Sequence, residues 1–93
     1  SLSLDLSQSK AFVGTMDAGL TAKEFAILLL LVKHEDKIIS PKKLYEEIWG
    51  APSADDTRTI RFHMVNLKKK IGVQNEDYDI ISVYGKGYYF TTK

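Results

Sequence analysis

The first twenty residues alternate between apolar and polar positions and predict a small sheet. From residue 2 to residue 7 every second residue is leucine, and a period of two is typical of a half-buried strand. Residues 11–13 predict a second short strand, and residues 16–20 predict a third that Gly19 interrupts. Strands this short are not stable alone, so we expect an antiparallel sheet within residues 2–20 that leans on helices.

Two helices follow, each with a capping signal ahead of helically spaced apolar residues. Residues 21–24 have the sequence TAKE, a capping box, and the apolar run behind it predicts a helix over residues 22–34. A helix this apolar is expected at the centre of the domain. Ser40 and Pro41 fit the N-cap and first positions of a second helix over residues 41–49, which the next residue, a glycine, ends.

A third helix is predicted over residues 57–71, with Asp56 or Thr57 as its N-cap and Gly72 as its C-terminal glycine. At 100° per residue, four apolar residues fall on one narrow stripe that suits a core. That stripe contains Ile60, Met64, Leu67 and Ile71. The opposite side is centred on Arg58, Phe62, Val65 and Lys69, with Arg61, Asn66 and Lys68 on its flanks.

Residues 80–91 predict a β-hairpin. Alternating residues 80–84 and aromatic and β-branched residues 88–91 flank the glycine-rich segment Gly85-Lys86-Gly87. A hairpin after two helices joined by a short loop is a wing, and its cationic tip can enter a minor groove. The elements together predict an α+β winged helix-turn-helix fold in a single domain over residues 1–93, with an N-terminal antiparallel β-sheet, three helices and a C-terminal β-hairpin.

The composition limits the class of protein. Ninety-three residues with 44% hydrophobic content are enough for one core. The chain has no cysteine, which excludes disulfides and cysteine-based metal sites. The longest apolar run, Phe25–Val32, has eight residues, whereas a membrane span needs about 20. No secretory signal is visible, and we therefore expect a cytoplasmic protein without a membrane partner.

The charge of the third helix has one sign. Between Thr57 and Gly72 there are five basic residues and no acid, whereas the rest of the chain carries eight basic and twelve acidic residues. Such a local field favours a nucleic-acid partner. Phe62 and Val65 lie beside these cations and opposite the core, and the major groove offers both phosphates and thymine methyl groups. A solvated charged face with two stray apolar residues is the alternative.

Catalytic chemistry finds no support in the sequence. The two histidines, His34 and His63, have no carboxylate at a metal-like spacing. Neither a nucleophile elbow nor a phosphate-binding loop occurs, and Gly85-Lys86-Gly87 lacks the third glycine and the following helix of a nucleotide site. We expect no enzyme activity, no cofactor and no metal.

Four segments resemble the winged-helix effector domain of the OmpR/PhoB family of bacterial response regulators. They are LTAKEFAILLLL, ISPKKLYEEIWG, DTRTIRFHMVNLKKKIG and ISVYGKGYYF, and together they cover nearly the whole chain. The resemblance implies a four-stranded N-terminal sheet, three helices and a hairpin, with the third helix in the major groove. It also implies a transcriptional regulator of a two-component system that binds double-stranded DNA, with the wing, residues 84–88, at the minor groove.

The resemblance assigns roles to individual residues. Arg58, His63 and Lys68 would meet phosphates, as would the Trp49 indole N–H and the Tyr88 hydroxyl, although Trp49 is first a core residue and His63 could instead be a satisfied, partly buried histidine. The base-reading residues would be Arg61, Phe62, Val65 and Asn66. Lys69, Tyr84 and Lys86 complete the predicted DNA-binding surface. Lys70 points toward neither the core nor this surface and is expected to be partly solvated.

The chain departs from the family pattern at three of these positions. Many relatives have arginine where this chain has Val65, Asn66 and, in the wing, Tyr84. Asn66 suits adenine because its amide can pair with N6 and N7, and Phe62 suits thymine methyl groups. We therefore expect an A/T-rich recognition sequence.

The resemblance also implies protein partners. The loop of residues 50–56 would contact RNA polymerase, and pairs of domains would bind tandem repeats. Family members carry a receiver domain, which the 93 residues do not contain, so the chain is either an effector domain or a stand-alone regulator. The alternative function is a protein-interaction module whose apolar patch is Phe62, Val65 and Tyr84.

Overall fold

The computed structural model describes residues 2–52, 58–72 and 77–93, and these contain five strands and three helices. In chain order they are β1 (Leu2–Asp5), β2 (Lys10–Val13), β3 (Met16–Asp17), α1 (Ala22–Lys33), α2 (Pro41–Trp49), α3 (Arg58–Ile71), β4 (Tyr78–Val83) and β5 (Gly87–Thr92). The order of the elements confirms the predicted fold class, an α+β winged helix with an N-terminal antiparallel sheet, three helices and a C-terminal hairpin.

The N-terminal sheet is smaller than the family resemblance implied. Its order is β1-β2-β3, so the described residues form three antiparallel strands here and not four. The third strand was expected to reach Leu20 but ends at Asp17. The cause is a local turn, because the Asp17 carboxylate accepts a hydrogen bond of 2.8 Å from the Gly19 N–H and Gly19 has a φ of +72°.

The capping box of α1 forms as the sequence predicts. The Thr21 hydroxyl accepts from the Glu24 N–H at 3.2 Å, and the Glu24 carboxylate accepts from the Thr21 N–H at 2.9 Å. Behind the cap, Ile27, Leu28 and Leu31 are fully buried, which places α1 at the centre of the core. None of the helices in the described ranges is long and apolar enough to cross a membrane.

The apolar stripe of α3 lies against this core. All four of its residues are buried, namely Ile60, Met64, Leu67 and Ile71. Gly72 ends the helix in a left-handed conformation, and its N–H donates to the Lys68 carbonyl at 3.0 Å. The predicted N-cap residues, Asp56 and Thr57, lie outside the described residues.

Lys70 is partly solvated as expected, with its side chain 33% exposed, but it also makes an ion pair that the sequence did not predict. Its ammonium lies 2.7 Å from the Glu24 carboxylate, which is only 2% exposed. Burial raises the pKa of Glu24, but the hydrogen bonds from Lys70 and Thr21 outweigh that effect and the net pKa lies below the ordinary value. The cation therefore ties the C-terminal half of α3 to the N-terminus of α1.

The C-terminal hairpin packs one face on the core and is attached to the segment between α1 and α2. Ile80 and Phe90 are cross-strand partners and both are buried. The Ile39 N–H donates to the Tyr88 carbonyl at 2.8 Å, and the Tyr88 N–H donates back to the Ile39 carbonyl at 3.0 Å. A side chain at Gly87 would meet the Ile39 carbonyl, so the close approach requires glycine.

Candidate nucleic-acid interface

The outward side of α3 carries cations and apolar side chains together. Phe62 is 66% exposed and Val65 is 48% exposed, on the side of the helix opposite the buried stripe. Arg58, Arg61 and Lys69 are exposed around them, and Asn66 is half-buried. Exposed apolar side chains among cations suit the major groove, which offers phosphates along its rims and thymine methyl groups on its floor.

An aromatic cluster joins the end of α2 to the start of α3. Trp49 stacks on Tyr45 with ring centroids 4.8 Å apart and meets His63 at 5.6 Å. Phe62 meets the other side of His63, edge to face, also at 5.6 Å. Lys23 from α1 places its ammonium 4.8 Å from the centroid of the Trp49 ring. The cluster fixes the angle between the two helices and leaves Phe62 at its exposed end.

His63 is half-buried, but it is not the satisfied histidine that was one of its two interpretations. Its Nδ1 atom is buried and has no hydrogen-bond partner among the described residues. A hydrogen on that nitrogen would be a buried N–H without an acceptor, which is costly. We therefore assign the ring hydrogen to Nε2, which makes Nε2 the nitrogen that can donate to a ligand.

Lys68 is directed to the wing. Its ammonium donates to the Ser82 hydroxyl at 2.9 Å and lies 5.9 Å from the centroid of the Tyr88 ring. The family resemblance implied a phosphate contact for Lys68, but the sequence alone gave no sign of these two partners. They lie 14 and 20 residues further along the chain and meet Lys68 only in the folded protein.

The wing tip projects from the domain and borders a cationic groove. Tyr84 is fully exposed, Lys86 is exposed, and the Lys86 N–H closes the turn on the Val83 carbonyl at 3.0 Å. The groove has a volume of about 580 Å³ and lies between the wing, α3 and the start of α2. Lys86, Arg61 and Lys42 line it, and none of the lining residues within the described ranges is acidic.

The sequence pattern did not predict that Lys42 lies in this groove. It is the second residue of α2, and nothing in the pattern of that helix separates it from an ordinary solvated lysine. It joins the groove because the start of α2 meets the wing, which follows from the pairing of Ile39 with Tyr88. No group of three or more histidine, aspartate and glutamate side chains within the described part of the chain could hold a metal ion.

The comparison with protein families decides the assignment of this fold. The family described as "Transcriptional regulatory protein, C terminal" matches residues 15–90. The chain belongs to this family. The uncharacterised transcriptional regulatory protein YclJ of Bacillus subtilis is 35% identical over 71 residues, which cover 76% of this chain and 31% of YclJ. The transcriptional regulatory protein ResD of the same organism is 31% identical over 91 residues, which cover 96% of this chain and 38% of ResD. The chain thus spans about a third of the length of these relatives.

Solved structures of the same family superimpose on nearly the whole chain. The DNA-binding domain of Klebsiella pneumoniae RstA, solved with the RstA box, has a TM-score of 0.86 at 26% identity and covers 98% of this chain and 91% of its own. The DNA-binding domain of Escherichia coli CpxR has the same TM-score at 25% identity, with 98% and 90% covered. DrrB, an OmpR/PhoB homologue from Thermotoga maritima, has a TM-score of 0.80 at 28% identity, with 97% and 41% covered. These structures confirm the OmpR/PhoB resemblance.

Proposed function

We propose that the chain is the DNA-binding domain of a transcriptional regulator that recognises specific double-stranded sequences. Helix α3 enters the major groove, and the wing tip over residues 84–88 lies at the adjacent minor groove. The observation that carries this proposal is the outward side of α3, where Phe62 and Val65 lie exposed among basic residues and the helix has no acidic residue. The RstA domain, which has the same fold, was solved in complex with its DNA box.

Three cations on α3 supply the sequence-independent part of binding. Arg58, Arg61 and Lys69 release counterions when they meet phosphates, and the affinity therefore falls steeply with salt. The family resemblance implies a base contact for Arg61, but Arg61 lines the groove with Lys42 and Lys86, so we propose a phosphate contact for it instead. We propose that one strand of the DNA backbone passes along this groove between α3 and the wing.

Base recognition comes from the uncharged part of the same face. Phe62 and Val65 contact thymine methyl groups, and Asn66 pairs with the N6 and N7 positions of adenine. Each good contact of this kind is worth roughly 1–3 kcal/mol of discrimination against a wrong base. We therefore propose an A/T-rich recognition sequence, in place of the guanine contacts that arginines at these positions would favour.

Donors beside the helix complete the phosphate contacts. We propose that His63 donates through Nε2, because its Nδ1 is buried and has no hydrogen-bond partner in the part of the chain that the structure describes. The Trp49 indole N–H and the Tyr88 hydroxyl serve in the same way. Trp49 is held for this role by Tyr45 and Lys23, which occupy its ring faces.

The domain works within a larger assembly. Because the chain spans about a third of the length of its relatives, we propose that a receiver domain accompanies it and passes on a signal. A single small domain buries modest area on DNA, so pairs on tandem repeats would raise specificity. We propose that residues 50–56 contact RNA polymerase. Most of these residues lie outside the described ranges.

A second function is favoured by the exposure of three large side chains. Phe62, Val65 and the fully exposed Tyr84 could instead meet a protein partner. The two functions differ in their response to salt. Binding to DNA weakens steeply between about 50 and 200 mM salt, whereas an apolar protein contact hardly changes.

The test is a titration of the isotope-labelled chain with a short A/T-rich duplex, followed by NMR. We expect amide shifts to concentrate in residues 58–69 and 84–88 and to shrink as salt is added. A G/C-rich duplex of equal length is the control and should give smaller shifts at residues 62–66. If the amides of α3 and the wing do not respond to either duplex while the chain is folded, the proposal is wrong and the Phe62 face is better tested against proteins.

A further inference from the structure

Lys68 connects α3 to the wing by contacting one side chain from each strand of the hairpin. Its ammonium donates to the hydroxyl of Ser82 in β4 at 2.9 Å and lies over the ring of Tyr88 in β5. Ser82 and Tyr88 are direct cross-strand partners, so one cation holds both strands of the hairpin at the same level. Neither of these two partners carries a negative charge, so neither neutralises Lys68. The contact therefore positions the hairpin and does not form an ion pair.

The position of this contact follows from the alternation of the strands. Ile80 and Phe90 point into the core, and Ser82 and Tyr88 are the next pair on the same face. At this pair the apolar core ends and the projecting tip of the wing begins. The Lys68 ammonium thus lies at the end of the buried part of the hairpin face, over the ring of Tyr88.

The hairpin has two other attachments, one at its base and one at the edge of β5 that faces the segment before α2. The Tyr78 hydroxyl donates to the Ile71 carbonyl at the end of α3, beyond the base of the wing. The backbone pair of Tyr88 with Ile39 fixes the opposite edge of β5. The bond from Lys68 to Ser82 adds an attachment between α3 and the hairpin, close to the tip of the wing.

We infer that Lys68 is a positioning residue that fixes the wing relative to α3, in place of the phosphate contact that the family resemblance implies. This inference rests on the proposed function, because the restraint sets the spacing between a major-groove and a minor-groove contact. A domain whose wing is fixed before binding loses less conformational freedom on DNA. Contact of Lys68 with a phosphate would first break its bond to Ser82.

The restraint is tested without DNA by measuring a distance in the free chain. The chain has no cysteine, so Val65→Cys and Tyr84→Cys allow two nitroxide labels, one on α3 and one on the wing. We expect a narrow distance distribution in this labelled parent, a broader or displaced one with Ser82→Ala, and the parent distribution with Ser82→Thr, which keeps the hydroxyl. An unchanged distribution with Ser82→Ala overturns the inference. If Ser82→Ala does not fold, Lys68→Met removes the donor, because a methionine side chain cannot donate a hydrogen bond, and it decides the same question.

The consequence for binding is tested with unlabelled variants and a duplex selected from a randomised library. Ser82→Ala changes no charge, so we expect the same dependence of affinity on salt and an affinity roughly three- to ten-fold lower. Ser82→Thr should bind within about two-fold of the parent. If Ser82→Ala binds as tightly as the parent or more tightly, Lys68 leaves Ser82 for a phosphate on DNA. If Ser82→Ala and Ser82→Thr lose the same affinity, the hydroxyl is not the partner of Lys68. Either result overturns the inference. If the parent binds no duplex, the proposed function fails and the label distances alone decide the role of Lys68.

Discussion

One side-chain oxygen of Glu24 accepts both the hydrogen bond of the capping box of α1 and the hydrogen bond from Lys70. The Glu24 Oε1 atom accepts from the Lys70 ammonium at 2.7 Å and from the Thr21 N–H at 2.9 Å. The start of the central helix and the end of the proposed DNA-reading helix are therefore joined at a single buried carboxylate. Loss of either donor leaves that carboxylate short of a partner.

The first prediction concerns this ion pair. Lys70→Met removes the cation while Glu24 stays buried, and we expect the free energy of unfolding to fall by about 1–3 kcal/mol. Urea denaturation measures the change. The control is Lys69→Met, which alters the exposed neighbouring lysine and should stay within about 0.5 kcal/mol of the parent. Equal stability of the two variants would contradict the structural role of Lys70.

The second prediction concerns pH. The folded pKa of Glu24 lies below its ordinary value of 4.5, so the unfolded chain takes up the proton first as the pH falls. The stabilisation is complete above about pH 4.5 and is lost as the pH falls through the folded pKa. Urea denaturation of the parent and of Glu24→Gln between neutral pH and pH 3 isolates this contribution. We expect the difference in stability between them to narrow below pH 4.5, and a constant difference would refute it.

The third prediction concerns the attachment of the wing to the segment before α2. A Cβ atom at Gly87 would lie 2.1 Å from the Ile39 carbonyl oxygen, and Gly87 also has a φ of +149°. Gly87→Ala must push the two segments apart, and we expect a loss of more than about 2 kcal/mol in the free energy of unfolding. Gly85→Ala is the matched control, because a Cβ there meets nothing within 4 Å and only the positive φ opposes it. The control should lose about 1 kcal/mol.

The fourth prediction separates affinity from specificity on α3. Lys69→Met should weaken binding to every duplex and reduce the slope of log affinity against log salt by about one. Asn66→Ala should leave that slope unchanged and relax the preference at one base pair by roughly 1–3 kcal/mol. Binding assays on matched and mismatched duplexes at several salt concentrations test both. If the two variants behave alike, the roles assigned to Lys69 and Asn66 are wrong.

The fifth prediction concerns the tautomer of His63. A glutamine amide nitrogen can occupy the position of Nε2, whereas the shorter asparagine reaches only the position of Nδ1. We expect His63→Gln to keep most of the affinity for DNA and His63→Asn to lose roughly ten- to a hundred-fold, the value of one hydrogen bond to a charged group. Equal losses would indicate that the ring is needed for packing on Trp49 and not as a donor.

Local sequence patterns were sufficient to predict much of the fold and of the proposed site. The capping box at Thr21 and the buried stripe of α3 depend on residues three or four apart, and such spacings are visible in a single sequence. The exposed position of Phe62 follows from the same helical period. The sheet was less predictable, because the turn at Asp17 and Gly19 decides the length of the third strand.

The contacts that the sequence did not reveal join distant parts of the chain. Glu24 and Lys70 are 46 residues apart, and Lys68 reaches the wing only after the hairpin has packed. Lys42 enters the cationic groove through a backbone pair that another segment makes. Each of these lysines has the same local pattern as a solvated lysine, so only the folded structure distinguishes them.

The segment before α2 has a further consequence for the proposed binding of several copies to one DNA molecule. It covers the outer edge of β5, because the Asp36 N–H donates to the Phe90 carbonyl and Ile39 exchanges two hydrogen bonds with Tyr88. An uncovered strand edge invites pairing with the same strand of a neighbouring molecule and leads to aggregation. If copies lie side by side on tandem repeats, as we propose, this cover keeps them from joining their hairpins into a shared sheet at β5.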